Sequence, residues 1–389
     1  MSLFRKASLA LASLAALVLT GCSQDERLYN MREGVTEISK EVYSLHMIVT
    51  WVCVVIGILT FGAMFYSMWA HRKSKNPNPA KFSHSTAVEI IWTVIPFIIL
   101  IALAIPAVSL LIKMEDTSNP DMTVMVKGWQ WKWEYKYIDG DDNPRNDVSF
   151  FSNLDQASRD ASTNAGSGFS GTAIADENYL LEVDNPLVIP AGKKVRFLVT
   201  AEDVIHSFWV PDFSVKKDAI PGFINEVWTK VDVPGVYRGV CAELCGKDHG
   251  FMPIVVVVKE QAEYDAWLAE KVAAAEAGPD LNDRTMAQLI TEGEAAYNKY
   301  CAACHMPNGQ GNGPFPSLVG TAVVKGDISK HIDVVVNGVA GTAMQAFGGQ
   351  LTEAEIAAIV TYERNAWGND MGDKAQPQDI ADFKAGKGE

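Results

Sequence analysis

The chain has 389 residues, which at about 100–200 residues per domain allows two or three domains. Hydrophobic residues make up 48% and charged ones 21%, excluding a disordered or low-complexity chain. Lys+Arg 33 against Asp+Glu 47 leaves a net charge of −14, which argues against nucleic acid as a partner and favours a basic protein.

In chain order, Arg5 and Lys6 precede an apolar stretch over residues 7–19, followed by Leu19-Thr20-Gly21-Cys22. A basic start, a short apolar run and small residues before a cut predict a secretory signal over residues 1–21. The Leu-x-Gly-Cys ending resembles a bacterial lipobox, making Cys22 the candidate lipidated residue. A third membrane helix there would need about 20 apolar residues. After an external segment, residues 22–45, come two uncharged apolar runs, 47–69 and 90–112. At about 1.5 Å per residue each spans roughly 35 Å, enough to cross a hydrocarbon core, so residues 46–114 are predicted to form a transmembrane hairpin. Pro96 and Pro106 are tolerable in membrane helices. The connecting loop carries Arg72, Lys73, Lys75 and Lys81 without an acid, which puts it in the cytoplasm and both termini outside.

Short alternating runs follow at 123–127, 131–137, 179–183, 194–200, 226–231, 235–240 and 253–259. They predict a β-sandwich or barrel over residues 115–260, with a polar surface insertion at about 140–178. An Ala/Glu helix at 261–277 belongs to a linker, 261–283, closed by Gly278-Pro279. Helical stretches at 285–300 and 352–365 flank a Gly/Pro-rich middle and predict a small all-α unit over 284–369. The Lys/Gly/Asp-rich tail, 370–389, reads as mobile.

Two constellations carry chemistry. Cys241, Cys245, His249 and Met252 lie between two predicted strands, and His206 lies in the turn 203–208. Thiolate, imidazole and thioether form a soft donor set suited to copper. One copper would need a single Cys; with two, the thiolates can bridge two copper ions, each completed by one His and one weak ligand (Met252 or a carbonyl). A disulfide between Cys241 and Cys245 would leave both His and Met252 without a role, and structural zinc has no use for a thioether. The second constellation, Cys301-Ala302-Ala303-Cys304-His305, is a C-x-x-C-H motif, read as covalent haem attachment with His305 on the iron. Met344 precedes the last helix, where a class I cytochrome c places its second axial ligand; His331 and Met371 are rivals. His/Met ligation suits a raised potential. Pro316 offers a carbonyl to orient His305.

The run C-x-E-x-C-x-x-x-H-x-x-M, with Val204-Ile205-His206-Ser207-Phe208 upstream, resembles the CuA site of cytochrome c oxidase subunit II. The resemblance extends over about residues 44–259, through the hairpin, the aromatic run Gly128-Trp129-Gln130-Trp131-Lys132-Trp133, and Lys217-Asp218-Ala219-Ile220-Pro221-Gly222. It implies a cupredoxin-like β-barrel with copper held by His206, Cys241, Cys245, His249, Met252 and the Glu243 backbone carbonyl. It implies further that the Glu243 side chain faces a Mg²⁺ at the contact with subunit I. Trp131 would be the tryptophan through which electrons arrive, and Glu89 the mouth of a proton-uptake path. With the fused haem unit, the chain is similar to the subunit II of a caa3-like oxidase. The resemblance implies a place in the bacterial inner membrane with the metal domains on the periplasmic side, beside subunits I and III. Electrons would come from a soluble, basic cytochrome c and leave for O2 reduction coupled to proton pumping. Alternatives are the CuA subunit of a nitric oxide reductase and a free-standing membrane-tethered electron carrier. Nitrous oxide reductase would need a second, His-rich copper site, and all 7 His here are spoken for or scattered.

Overall fold

The computed structural model describes residues 30–78, 80–138, 148–164 and 177–386. The expected signal segment 1–21, the lipidation candidate Cys22 and much of the 140–178 insertion lie outside them. The chain divides into two units between Ile112 and Lys113.

Helix α1 spans Glu37–Ala70 and α2 spans Thr86–Glu115. Thr36 starts α1 with a capping box, its hydroxyl accepting from the Ser39 N–H while Ser39 returns a bond to the Thr36 N–H. Both helices expose apolar side chains along their length, among them Trp51, Ile58, Phe97 and Ile105. A helix that is apolar all round and uncovered by protein is built for lipid. Pro96 and Pro106 sit inside α2 without ending it.

From Lys113 onward the chain first makes two five-stranded sheets. One has the order β3-β2-β1-β5-β8, built from β1 Met122–Trp129, β2 Lys132–Ile138, β3 Ser149–Ser152, β5 Lys194–Ala201 and β8 Asn225–Lys230. The other has the order β4-β10-β9-β6-β7, from β4 Leu187–Pro190, β6 His206–Val210, β7 Val215–Ala219, β9 Gly235–Cys241 and β10 Ile254–Lys259. The pairs β1/β5 and β4/β10 are parallel and the other pairs antiparallel. Inward residues Val124, Val126, Trp133, Tyr135, Phe197, Val199, Phe208, Ile254 and Val256 are all buried.

Several strands differ from expectation. Residues 179–183 form no strand: a turn covers 177–180, with Leu181 N–H bonded to the Asn178 carbonyl and Leu180 at φ +61°, and only Val183 bridges to Leu154. The strand nearby is β4, a Leu-Val-Ile-Pro run buried at every position, so it lacks the period-2 signal. β7 is the reverse case, an edge strand whose Lys216, Lys217 and Asp218 mask its pairing. The expected surface insertion supplies edge strand β3 and helix α3, Gln156–Asn164. Helix α4, Gln261–Glu276, is more than a linker: Tyr264 is buried and the Trp267 ring lies 5.4 Å from that of Tyr137.

The helical part contains α5 Met286–Tyr300, α6 Ala302–His305, α7 Ala322–Lys325, α8 Ile328–Asn337 and α9 Glu353–Asn365. Helices α5 and α9 start on capping boxes at Thr285 and Thr352. Leu289, Ile332, Val335, Ile356, Ile359 and Val360 form the core between them. The described part of the tail expected to be mobile packs against this core. It forms α10, Pro377–Lys384, with Ala375 and Ile380 fully buried in that core. Arg364 is buried and binds both Asp373 carboxylate oxygens, at 2.8 and 2.5 Å. The tail's composition is polar, but Ala375, Pro377 and Ile380 are buried and Phe383 is half-buried.

Candidate metal centre and haem-attachment site

Strand β9 ends at Cys241, and its neighbour β6 begins at His206, with Phe208 paired to Cys241 across the ladder. Sheet register thus delivers one imidazole and one thiol to the same end of the sheet. The loop after β9 supplies Cys245, the short turn His249–Phe251 supplies the second imidazole, and Met252 follows just before β10.

Cys241 Sγ lies 3.9 Å from Cys245 Sγ, 4.0 Å from His206 Nδ1 and 3.4 Å from the Glu243 carbonyl oxygen. Cys245 Sγ lies 3.5 Å from both His249 Nδ1 and Met252 Sδ. His206, Cys241, Cys245 and Met252 are buried, whereas Glu243 and Leu244 are exposed at the loop tip. A disulfide requires about 2.05 Å between sulfurs, so the thiols are free and face one another across a gap. Five side chains and one carbonyl therefore converge as a soft donor set, and these residues fit a copper pair.

Electrostatics agree. Hydrogen bonding with Cys245 pulls the Cys241 thiol well below its ordinary range, and the same interaction pushes Cys245 up. The metal-free pair holds one negative charge readily and resists a second, a penalty that a bound cation removes. Burial opposes charge on His206, but its bonds with Asp203 and Cys241 outweigh that and raise its pKa. His206 Nε2 donates to Asp203 Oδ1 at 2.9 Å, which fixes the ring and leaves Nδ1 facing the sulfur. Burial also opposes charge on Asp203, yet bonds from His206 and the Gln130 and Val204 N–H groups keep its pKa below the usual value.

The aromatic run wraps this cluster. Trp131 Nε1 and Gln130 Nε2 both donate to the Cys245 carbonyl, at 3.2 and 2.8 Å, and Trp133 Nε1 donates to the Met252 carbonyl at 3.1 Å. Two glycines permit the close approach. A Cβ on Gly128 would stand 2.7 Å from His206 Cδ2, and one on Gly246, at φ +120°, 3.1 Å from Gln130 and Trp131.

Cys301 caps α5, and one helical turn, α6, carries Cys304 and His305; the N–H groups of both bond to the Cys301 carbonyl. Both thiols and the imidazole thereby fall on one short segment. His305 Nδ1 donates to the Pro316 carbonyl at 2.9 Å, leaving Nε2 for iron. These residues fit a covalent haem. Met344 sits half-buried in the loop after α8. His331 is committed elsewhere, buried with Nε2 bonded to Glu363 at 2.7 Å, while Met371 follows α9 with its N–H on the Arg364 carbonyl. Glu89 lies exposed in the first turn of α2.

The haem motif and copper loop meet within one compact unit. Lys247 donates to the Ala303 carbonyl, Lys132 to Gln350, and Lys299 pairs with Asp184 at 2.7 Å. Sequence reasoning overlooked Asp203, Gln130, Lys132, Lys247 and Gln345. The signal available for Asp203 was an acid three residues before a candidate ligand histidine; the others are visible only in three dimensions.

These features define a membrane-anchored, cupredoxin-like protein with a c-type cytochrome unit attached. Residues 25–110 match the family described as cytochrome c oxidase subunit II, transmembrane domain, and residues 122–259 its periplasmic domain. Residues 288–362 match the family described as cytochrome c oxidase, cbb3-type, subunit III. A probable cytochrome c oxidase subunit 2 of Rickettsia felis is 39% identical over 277 residues, covering 69% of this chain and 80% of that protein. A cytochrome c oxidase subunit 2 of Chondrus crispus is 34% identical, covering 66% and 96%. A crystal structure of the periplasmic domain of subunit II from Bradyrhizobium japonicum is 37% identical over 41% of this chain and 98% of that one, with a TM-score of 0.34. The chain belongs to the cytochrome c oxidase subunit II family and carries a cytochrome c domain at its C-terminal end. It is thus a subunit of a haem–copper oxidase, and its family implies CuA copper and haem c.

Proposed function

We propose that this chain is the electron-accepting subunit of a caa3-like respiratory oxidase. Haem c and the copper pair, when bound, supply reversible one-electron exchange, linking a soluble donor to subunit I, where O2 becomes water with protons pumped. The residues named above do the rest. Cys301 and Cys304 tether the haem, and His305 and Met344 hold its iron. His206, Cys241, Cys245, His249, Met252 and the Glu243 carbonyl hold copper in a site that Trp133 and Phe208 keep dry. Trp131 and Gln130 brace the Cys245 carbonyl against the haem unit.

The exposed Glu243 and Leu244 form the surface that meets subunit I, with Glu243 facing Mg²⁺ there. The metal units lie on the periplasmic side of the bacterial inner membrane, tethered by the hairpin and by lipid on Cys22. Subunit III completes the complex, Glu89 opens a proton path from the cytoplasmic side, and the net charge of −14 steers a basic donor. The observation that carries this reading is the convergence of two thiols, two imidazoles, a thioether and a carbonyl within 3.4–4.0 Å steps. The electron-carrying alternatives share this site, and co-purification of the subunits separates them.

Purified wild-type chain should contain two coppers and one haem and give a mixed-valence copper signal. Cys241→Ser should abolish that signal while haem attachment survives. Zinc, a single copper or a retained signal would overturn the ligand set.

A further inference from the structure

The residue after Met344 is Gln345, and its side chain crosses to the copper side. Gln345 Nε2 donates to the Gln130 carbonyl at 2.9 Å and stands 3.5 Å from Asp203 Oδ2. Both partners are already tied to copper-ligand segments. Gln130 Nε2 bonds the Cys245 carbonyl at 2.8 Å, the Gln130 N–H bonds Asp203 Oδ2 at 2.7 Å, and Asp203 Oδ1 accepts from His206 Nε2 at 2.9 Å.

The direction of the Gln345 amide follows from donor chemistry. Buried Lys132 can only donate, and it donates to Gln350 Oε1. The Gln350 NH2 then faces the Ala346 carbonyl at 2.6 Å and Gln345 Oε1 at 3.4 Å. The NH2 end of Gln345 is left for Gln130 and Asp203, both acceptors. Lys132 lies over the Phe347 and Phe151 rings, so the network is walled from water on that side.

We propose that Gln345 is a positioning residue that ties the loop of the haem-iron ligand to both copper-ligand segments, to Cys245 through Gln130 and to His206 through Asp203. This rests on the reading of Met344 and the Cys/His cluster given above. The bridge fixes the separation and orientation of the two loops, so that an electron crosses along bonded and hydrogen-bonded atoms. No covalent bond forms or breaks, and no proton moves.

The rival role, filling space at the interface, is separated by Gln345→Glu. Glutamate has the same size but only accepts, and it would face the Gln130 carbonyl and the Asp203 carboxylate. The test uses the full chain in detergent, with Gln345→Ala, Gln345→Glu and Gln350→Leu. Losing one ordinary hydrogen bond is worth about fivefold in an equilibrium. Gln345→Ala should therefore raise hydrogen exchange in segment 128–134 about fivefold. It should also slow the passage of a flash-generated electron from haem to copper, with the haem spectrum and mixed-valence copper signal unchanged. Gln345→Glu should do worse, and Gln350→Leu should change both readouts in the same direction. Wild-type behaviour of Gln345→Glu, unchanged exchange in Gln345→Ala, or faster exchange with an unaltered transfer rate would each overturn the proposal. Absence of copper or haem from the wild type overturns the functional reading instead, while exchange still reports on the bridge.

Discussion

Asp203→Asn asks whether the carboxylate behind His206 governs copper retention. Asp203 Oδ1 accepts from His206 Nε2 at 2.9 Å and from the Val204 N–H at 2.7 Å, and Oδ2 accepts from the Gln130 N–H at 2.7 Å. Asparagine keeps one acceptor oxygen and replaces the other with NH2. Either orientation sets donor against donor, at His206 or at Gln130. The outer partner of a metal-bound histidine is worth about 10–100-fold in affinity, or about 1.4–2.8 kcal/mol. A hydrogen bond to a charged group, about 1.5–3 kcal/mol, falls in the same range. Chelator competition on the full chain in detergent should show copper held 10–100-fold more weakly, with an unchanged circular dichroism spectrum. Unchanged copper affinity would refute the argument, because the His206 ring would then be fixed by its buried neighbours, Trp133 at 6.0 Å among them, without help from Asp203.

Met344→Ala should remove the near-infrared sulfur–iron band of the oxidised haem while covalent attachment persists; a surviving band passes the role to Met371. Ile380→Ala should lower the stability of the cytochrome unit by about 2–5 kcal/mol in denaturant titrations, since Ile380 is fully buried; no change would mean the tail is mobile after all. Burial depresses the Lys132 pKa from 10.5 to about 8, so below that pH the fold holds an ammonium it disfavours. Between about 8 and 10.5 the unfolded chain keeps a proton that the folded chain has released, and stability should rise relative to Lys132→Met. A stability difference that does not vary with pH over that window would place Lys132 in contact with water.

Most of the candidate ligands stood out in the sequence because they are clustered along the chain. Cys241, Cys245, His249 and Met252 lie within twelve consecutive residues, and Cys301, Cys304 and His305 within five. Short spacing and scarce residue types survive without knowledge of the fold. Strands such as β4 were not legible, because full burial removes alternation and leaves an apolar run that reads equally as strand or helix. The tail misled for a different reason: composition reports the average residue, whereas a few positions, Ala375, Ile380 and Phe383, pack α10 against the core. Gln345 was hardest, since nothing near it in the chain points to its partner Gln130, 215 residues away.

That last case bears on how the two centres work together. A free cytochrome must keep its exposed face compatible with release, so strong polar ties to one partner would be a cost. A cytochrome fused to its acceptor has no such constraint. Lys247 on the Ala303 carbonyl, Lys299 on Asp184 and Gln345 on Gln130 are directional contacts, and none of them is a large apolar patch. Directional contacts specify geometry better than they add affinity. The covalent link already keeps the haem unit at high effective concentration, so the interface is free to set orientation. On the proposed function, this is the quantity that matters for an electron crossing between fixed centres. On the same proposal, the exposed tip at Glu243 and Leu244 is the part of the loop left for subunit I.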